Sequence, residues 1–166
     1  RLGLLSPAGI ETFTAQESAM LTAIITPEAV QNTTPAQAAA NTAANFHAYD
    51  EARDGWILEQ REAVAARDDF PLYAAANAAS VAGMLDGRVI DRVGEIAAPT
   101  LVVYGAGDRL IPNAILHPDL PTEAVAAAAG EAIAHAEVHV VPEAGHLVML
   151  EQPEAVHALL VGFLGE

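Results

Sequence analysis

Apolar positions along the chain form runs of three kinds, and each predicts a different element. Leu2-Gly3-Leu4-Leu5 is a short apolar run closed by Ser6-Pro7-Ala8-Gly9. A run that short, stopped by Pro and Gly, predicts a buried strand over residues 1–5. From 11 to about 94 the chain turns alanine-rich and is punctuated by Thr26-Pro27-Glu28, Thr34-Pro35, Asp54-Gly55, Phe70-Pro71 and Asp86-Gly87. This predicts several short to medium helices, with Thr26 and Thr34 as N-caps before a Pro at the first helical position. Leu58, Arg61, Glu62 and Ala65 recur at helical spacing, as do Tyr73, Asn77, Ser80, Val81 and Met84, so both stretches read as amphipathic.

After Pro99 the pattern changes again. Thr100-Leu101-Val102-Val103-Tyr104 is apolar and β-branched and ends at Gly105-Ala106-Gly107, which predicts a central parallel strand. Residues 121–136 read as a helix starting at Thr122. Val138-His139-Val140-Val141 reads as a second strand stopped by Pro142, and 153–164 as a last helix. Strand, helix, strand, helix in this order predicts an α/β fold with a parallel sheet and flanking helices. Three segments follow: 1–10 as a core strand, 11–95 as a helical insertion, and 96–166 as the rest of the sheet unit.

Composition narrows the function. With 166 residues, 52% of them hydrophobic, 17% charged and a mean hydropathy of +0.28, the chain can bury a core and should fold. Its 7 basic residues, all arginine, stand against 22 acidic ones, a net charge of −15. That sign excludes a phosphate-binding surface for nucleic acid and docking on anionic lipid. No apolar run approaches the roughly 20 residues of a spanning helix, so a soluble, cytoplasmic protein is expected. Cysteine is absent, which removes disulfides, thiolate metal sites and a cysteine nucleophile. The chain opens on Arg1 with neither Met nor a signal-peptide pattern, as though something preceded it.

Two loops at the carboxyl ends of predicted strands concentrate the chemistry, the place where open parallel sheets bind ligands. Gly105-Ala106-Gly107 delivers Asp108, and Pro142-Glu143-Ala144-Gly145 delivers His146. A carboxylate and an imidazole on adjacent loops are the supporting members of a nucleophilic triad, the first orienting the second, which acts as general base. The plain alternative for Asp108 is a turn residue or helix cap. Of the other histidines, His47 lies in a helical context, His139 points outward on a strand, and His135 and His157 lie on helices. None forms a metal constellation. His117 follows Asp108 in a loop and reaches toward a pocket mouth or is a solvated loop residue. Trp56, Phe46, Tyr49, Tyr73 and Met84 line a substrate pocket or form the core of the helical segment. The acidic surplus reads as solvated surface.

The run Ile96-Ala97-Ala98-Pro99-Thr100 through Asp108, with Val141-Pro142-Glu143-Ala144-Gly145-His146 and Glu151-Gln152-Pro153-Glu154, resembles the carboxyl-terminal half of an α/β-hydrolase. In that family the order is nucleophile, acid, histidine, and Asp108 before His146 matches the last two. The resemblance implies a partial α/β-hydrolase fold with residues 11–95 as an inserted helical cap. It implies an enzyme of bacterial type, without cofactor or metal, that hydrolyses an ester or related carbonyl compound, with Trp56, Tyr73, Met84, His117 and Leu147 near a small-molecule substrate. Carbon–carbon bond hydrolysis, epoxide opening and dehalogenation share the constellation, and in the last two an Asp replaces the nucleophilic Ser. The departures are specific. Ser6, Ser18 and Ser80 are the only serines, and none stands in a Gly-x-Ser-x-Gly elbow. The oxyanion loop of the family is also absent, and 38 residues separate Asp108 from His146, with 113–120 as extra material. The nucleophile and the amino-terminal half are therefore expected outside this chain. The rival reading is a degenerate, non-catalytic binding protein.

Overall fold

The computed structural model describes residues 1–165 and divides them into two compact units. The first comprises Arg1–Thr12, Ala44–Ala48 and the chain from Val89 onward. It holds a three-stranded parallel sheet of β1 (Leu2–Leu5), β2 (Thr100–Gly105) and β3 (Ala136–Val141), in the order β1-β2-β3. The register pairs Leu5 with Val103 and Gly105 with Val141, so all three strands end at one edge. Every residue of β2 is buried, as an apolar strand in the middle of a parallel sheet requires.

Alternation along β2 builds two cores. Val102 and Tyr104 face α6 (Thr122–Ala132) and pack with Val125, Ala126, Ala129 and Ile133. Leu101 and Val103 face the other way, toward α7 (Val148–Glu151) and α8 (Pro153–Gly165), and pack with Val148, Val156 and Phe163. The unit is thus a three-layer α/β arrangement with helices on both faces of its sheet. Two short 3₁₀ turns, Val89–Asp91 and Val93–Glu95, lead into β2.

The second unit, Phe13–Ala43 and Tyr49–Arg88, is helical: α1 (Ala15–Ile24), α2 (Pro27–Gln31), α3 (Pro35–Ala43), α4 (Glu51–Ala65) and α5 (Phe70–Asp86). α1 and α2 pack on α5, and α3 packs on α4. Both expected caps form, Thr26 Oγ1 accepting from Ala29 N at 3.1 Å and Thr34 Oγ1 from Gln37 N at 3.3 Å. Thr14 adds a reciprocal box with Glu17. The stripe expected on α5 shifts by about one residue. Ala74 is buried, with Ala78, Val81, Ala82 and Leu85 half-buried behind it, whereas Tyr73, Asn77, Ser80 and Met84 are exposed. α5 packs with α2 and α1, and alanine's small side chain sets little limit on how closely a neighbouring helix can approach. Trp56 at 53% and Tyr73 at 47% exposure are accordingly not the core of this unit, and Phe46, at 3%, is buried in the other.

Candidate functional site

The site is built where β2 and β3 end. Beyond Gly105, Ala106 N donates to Val141 O at 2.8 Å and Gly107 N to Ala144 O at 2.7 Å, so the two loops are tied by backbone bonds before any side chain contributes. Asp108 emerges from this turn with its side chain fully buried. Its Oδ1 accepts from Leu110 N at 2.8 Å and Ile111 N at 3.0 Å, which fixes the carboxylate plane. Its Oδ2 faces His146 Nδ1 at 2.9 Å. Both expected residues therefore meet, and Asp108 caps the turn with one carboxylate oxygen while the other faces the imidazole. The pairing holds the imidazole with Nδ1–H toward Asp108 and Nε2 free to accept a proton, the tautomer a general base needs. The His146 side chain is 27% exposed.

The loop carrying His146 is held by a segment that the sequence does not single out. His146 N donates to Asn45 O at 2.8 Å and Leu147 N to the same oxygen at 3.3 Å. Residues 44–48 thus belong to the sheet unit although helices of the other unit flank them in sequence, and His47 lies in this irregular segment, not on a helix. A Cβ on Gly145 would lie 2.6 Å from His47 N and 2.8 Å from Asn45 O, which is why glycine precedes the histidine. The His47 ring packs against Gly107 in the same way. The Glu151 carboxylate accepts from Gly145 N at 2.6 Å, His47 N at 3.0 Å and Ala48 N at 2.8 Å. Its place five residues after His146 was visible in sequence; its partners were not.

His117 is no solvated loop residue. Its Nδ1 pairs with Glu11, whose carboxylate also accepts from Asn113 N at 2.9 Å, pinning the 113–120 loop to the segment after β1. Nearby, burial pushes the Tyr104 hydroxyl well above its ordinary range, the Asp108 and Glu11 carboxylates push it further, and it donates to Pro7 O at 3.1 Å. Leu147 is half-buried beside His146, while Trp56, Tyr73 and Met84 lie in the helical unit. His135 sits in the turn before β3, not on α6, which stops at Ala132. His139 pairs with Glu137 on β3, and His157 is exposed on α8. Among the described residues no group of three or more His, Asp or Glu side chains could hold a metal ion, and no helix is long and apolar enough to cross a membrane.

Residues 4–159 match the model of the alpha/beta hydrolase family, nearly the whole chain. The chain belongs to that family. Among curated relatives, the 2-hydroxy-6-oxononadienedioate/2-hydroxy-6-oxononatrienedioate hydrolase of Paraburkholderia xenovorans is 37% identical over 73 residues, 44% of this chain and 22% of that protein. Among solved structures, a probable hydrolytic enzyme from Pseudomonas aeruginosa superposes with a TM-score of 0.77 at 18% identity, over 99% of this chain and 55% of its own. An esterase from Exiguobacterium antarcticum gives 0.70 at 20%, over 99% and 57%. This alpha/beta hydrolase chain thus spans little more than half the length of those two structures.

Proposed function

We propose that the chain supplies the acid and base of a Ser-Asp-His triad that hydrolyses an ester or related carbonyl substrate, with the nucleophile on residues outside it. The observation that carries this reading is the 2.9 Å contact of His146 Nδ1 with a fully buried Asp108 at the carboxyl edge of a parallel sheet. In the proposed cycle, His146 Nε2 takes the serine proton as the serine oxygen attacks the carbonyl, and Asp108 stabilises the resulting imidazolium. His146 returns that proton to the leaving alkoxide, giving an acyl-enzyme. Water then repeats the exchange and releases the acid. We assign the helical unit the role of a cap that selects substrate, and Trp56, Tyr73, Met84, His117 and Leu147 as candidate substrate-binding residues.

Carbon–carbon bond hydrolysis is the second reading, and the naming of the curated relatives favours it. The test is turnover of a p-nitrophenyl ester and of a 2-hydroxy-6-oxo dienedioate by the protein expressed with the reading frame upstream of Arg1, and by its His146→Ala variant. Wild-type turnover, lost by about 10³-fold or more in the variant, is expected. The 166 residues alone should turn over neither compound. Saturable activity that survives His146→Ala would overturn the assignment.

A further inference from the structure

The Glu151 carboxylate is surrounded by three backbone N–H groups from two segments far apart in sequence: Gly145 on the histidine loop, and His47 and Ala48 on the 44–48 segment. Gly145 and His47 share Oε2, and Ala48 takes Oε1. Three charge-assisted bonds meet on one anion, each stronger than a neutral pair. Next to it, Gln152 Nε2 donates to Glu143 O at 3.1 Å, so consecutive side chains hold the loop 143–146 at both ends. Asn45 O accepts from His146 N and Leu147 N on the other side of the same junction. The backbones that Glu151 joins approach so closely at Gly145 that no side chain fits between them.

We propose that Glu151 is a positioning residue for His146. It does not reach the reacting atoms. It fixes the peptide before His146 against the 44–48 segment, and through that peptide the ring whose Nδ1 must meet Asp108. An imidazole on a loop that drifts by an ångström loses the Asp108 contact, and with it the tautomer and orientation a general base requires. The proposal rests on reading His146 as the catalytic base, but its test does not depend on activity.

The experiment is NMR on the full ¹⁵N-labelled chain, reading the His146 Nδ1–H resonance and its exchange with water. Wild type is compared with Glu151→Gln, Glu151→Ala and the control Glu154→Gln on an exposed turn of α8. Gln keeps the size and one acceptor oxygen but turns an NH₂ group toward amide donors, so it should fold and still fail as a clamp. In Glu151→Gln the Nδ1–H proton should exchange at least about tenfold faster than in wild type, with far-UV circular dichroism unchanged, and Glu154→Gln should match wild type. An unchanged His146 signal and exchange rate in a folded Glu151 variant would overturn the proposal. If neither variant folds, native-state exchange of wild type decides. The amides of Gly145, His47, Ala48 and His146 should open together; His47 and Ala48 opening independently of Gly145 and His146 would contradict the clamp. A His146→Ala variant that kept full activity would sink the catalytic reading while leaving these outcomes intact.

Discussion

A methyl group added at Gly145 would press against the His47 amide nitrogen and the Phe46 carbonyl carbon, 2.6 and 2.7 Å away, and both are backbone atoms that cannot rotate aside. Gly145→Ala should therefore cost about 1–3 kcal/mol, read as a lowered denaturant midpoint. Gly83 is the contrast. It lies inside α5 with open space around its Cα, so Gly83→Ala should raise the midpoint by the equivalent of about 0.5–1 kcal/mol. Similar effects at the two sites would refute the close backbone junction behind His146. At this scale the sequence was legible where chemistry is local. Asp108 and His146 stand at strand ends beside glycines that mark tight turns. It was silent on the distant partners of Glu151, Glu11 and His47, which lie about 100 residues away along the chain. No spacing rule connects positions joined only by the fold.

Element boundaries in the sheet unit follow directly from hydrophobic runs closed by Pro or Gly. β2 runs to Gly105 and β3 begins at Ala136, two residues before the expected start, because His135 O accepts from Thr100 N and extends the pairing. α6 stops at Ala132, four residues short of the expected end, since Ile133 is drawn into the core as the chain turns toward β3. In the helical unit the alanine-rich sequence signals helices but not their faces, for alanine is at home on either side of a helix. α4 depends on a polar feature instead. Asp50 caps it by accepting from Ala52 N at 2.8 Å, and buried Asp54 accepts from Asp50 N at 2.9 Å and bonds Arg53. The Arg53 guanidinium holds the Asp54 carboxyl below its ordinary value of 3.8. A depressed native pKa stabilises the fold above the unfolded value, and that contribution fades as pH falls through the native one. Wild type should thus lose part of its stability as pH drops below about 4. In Asp54→Asn that part of the loss should vanish, at the expense of about 1–3 kcal/mol near neutrality. Equal acid sensitivity in both proteins, followed by circular dichroism across pH 2–7, would count against this bond as the support of α4.

At the scale of the whole molecule, the Asp108 carboxylate and the His146 imidazole meet at one edge of a three-stranded sheet, in a chain that spans little more than half of the solved hydrolases it matches. The order acid then histidine made the family visible in sequence, and the parallel register explains why the two meet. The most direct measurement is kcat/KM for a p-nitrophenyl ester with Asp108→Asn, made in the protein that includes the upstream reading frame. With its oxygen kept on Leu110 N and Ile111 N, the substituted amide would turn its NH₂ toward His146 Nδ1, forcing the ring proton onto Nε2 where the base must accept. A fall of about 10⁴-fold, with the melting temperature little changed, is the result predicted. Activity within a few-fold of wild type would contradict the triad assignment.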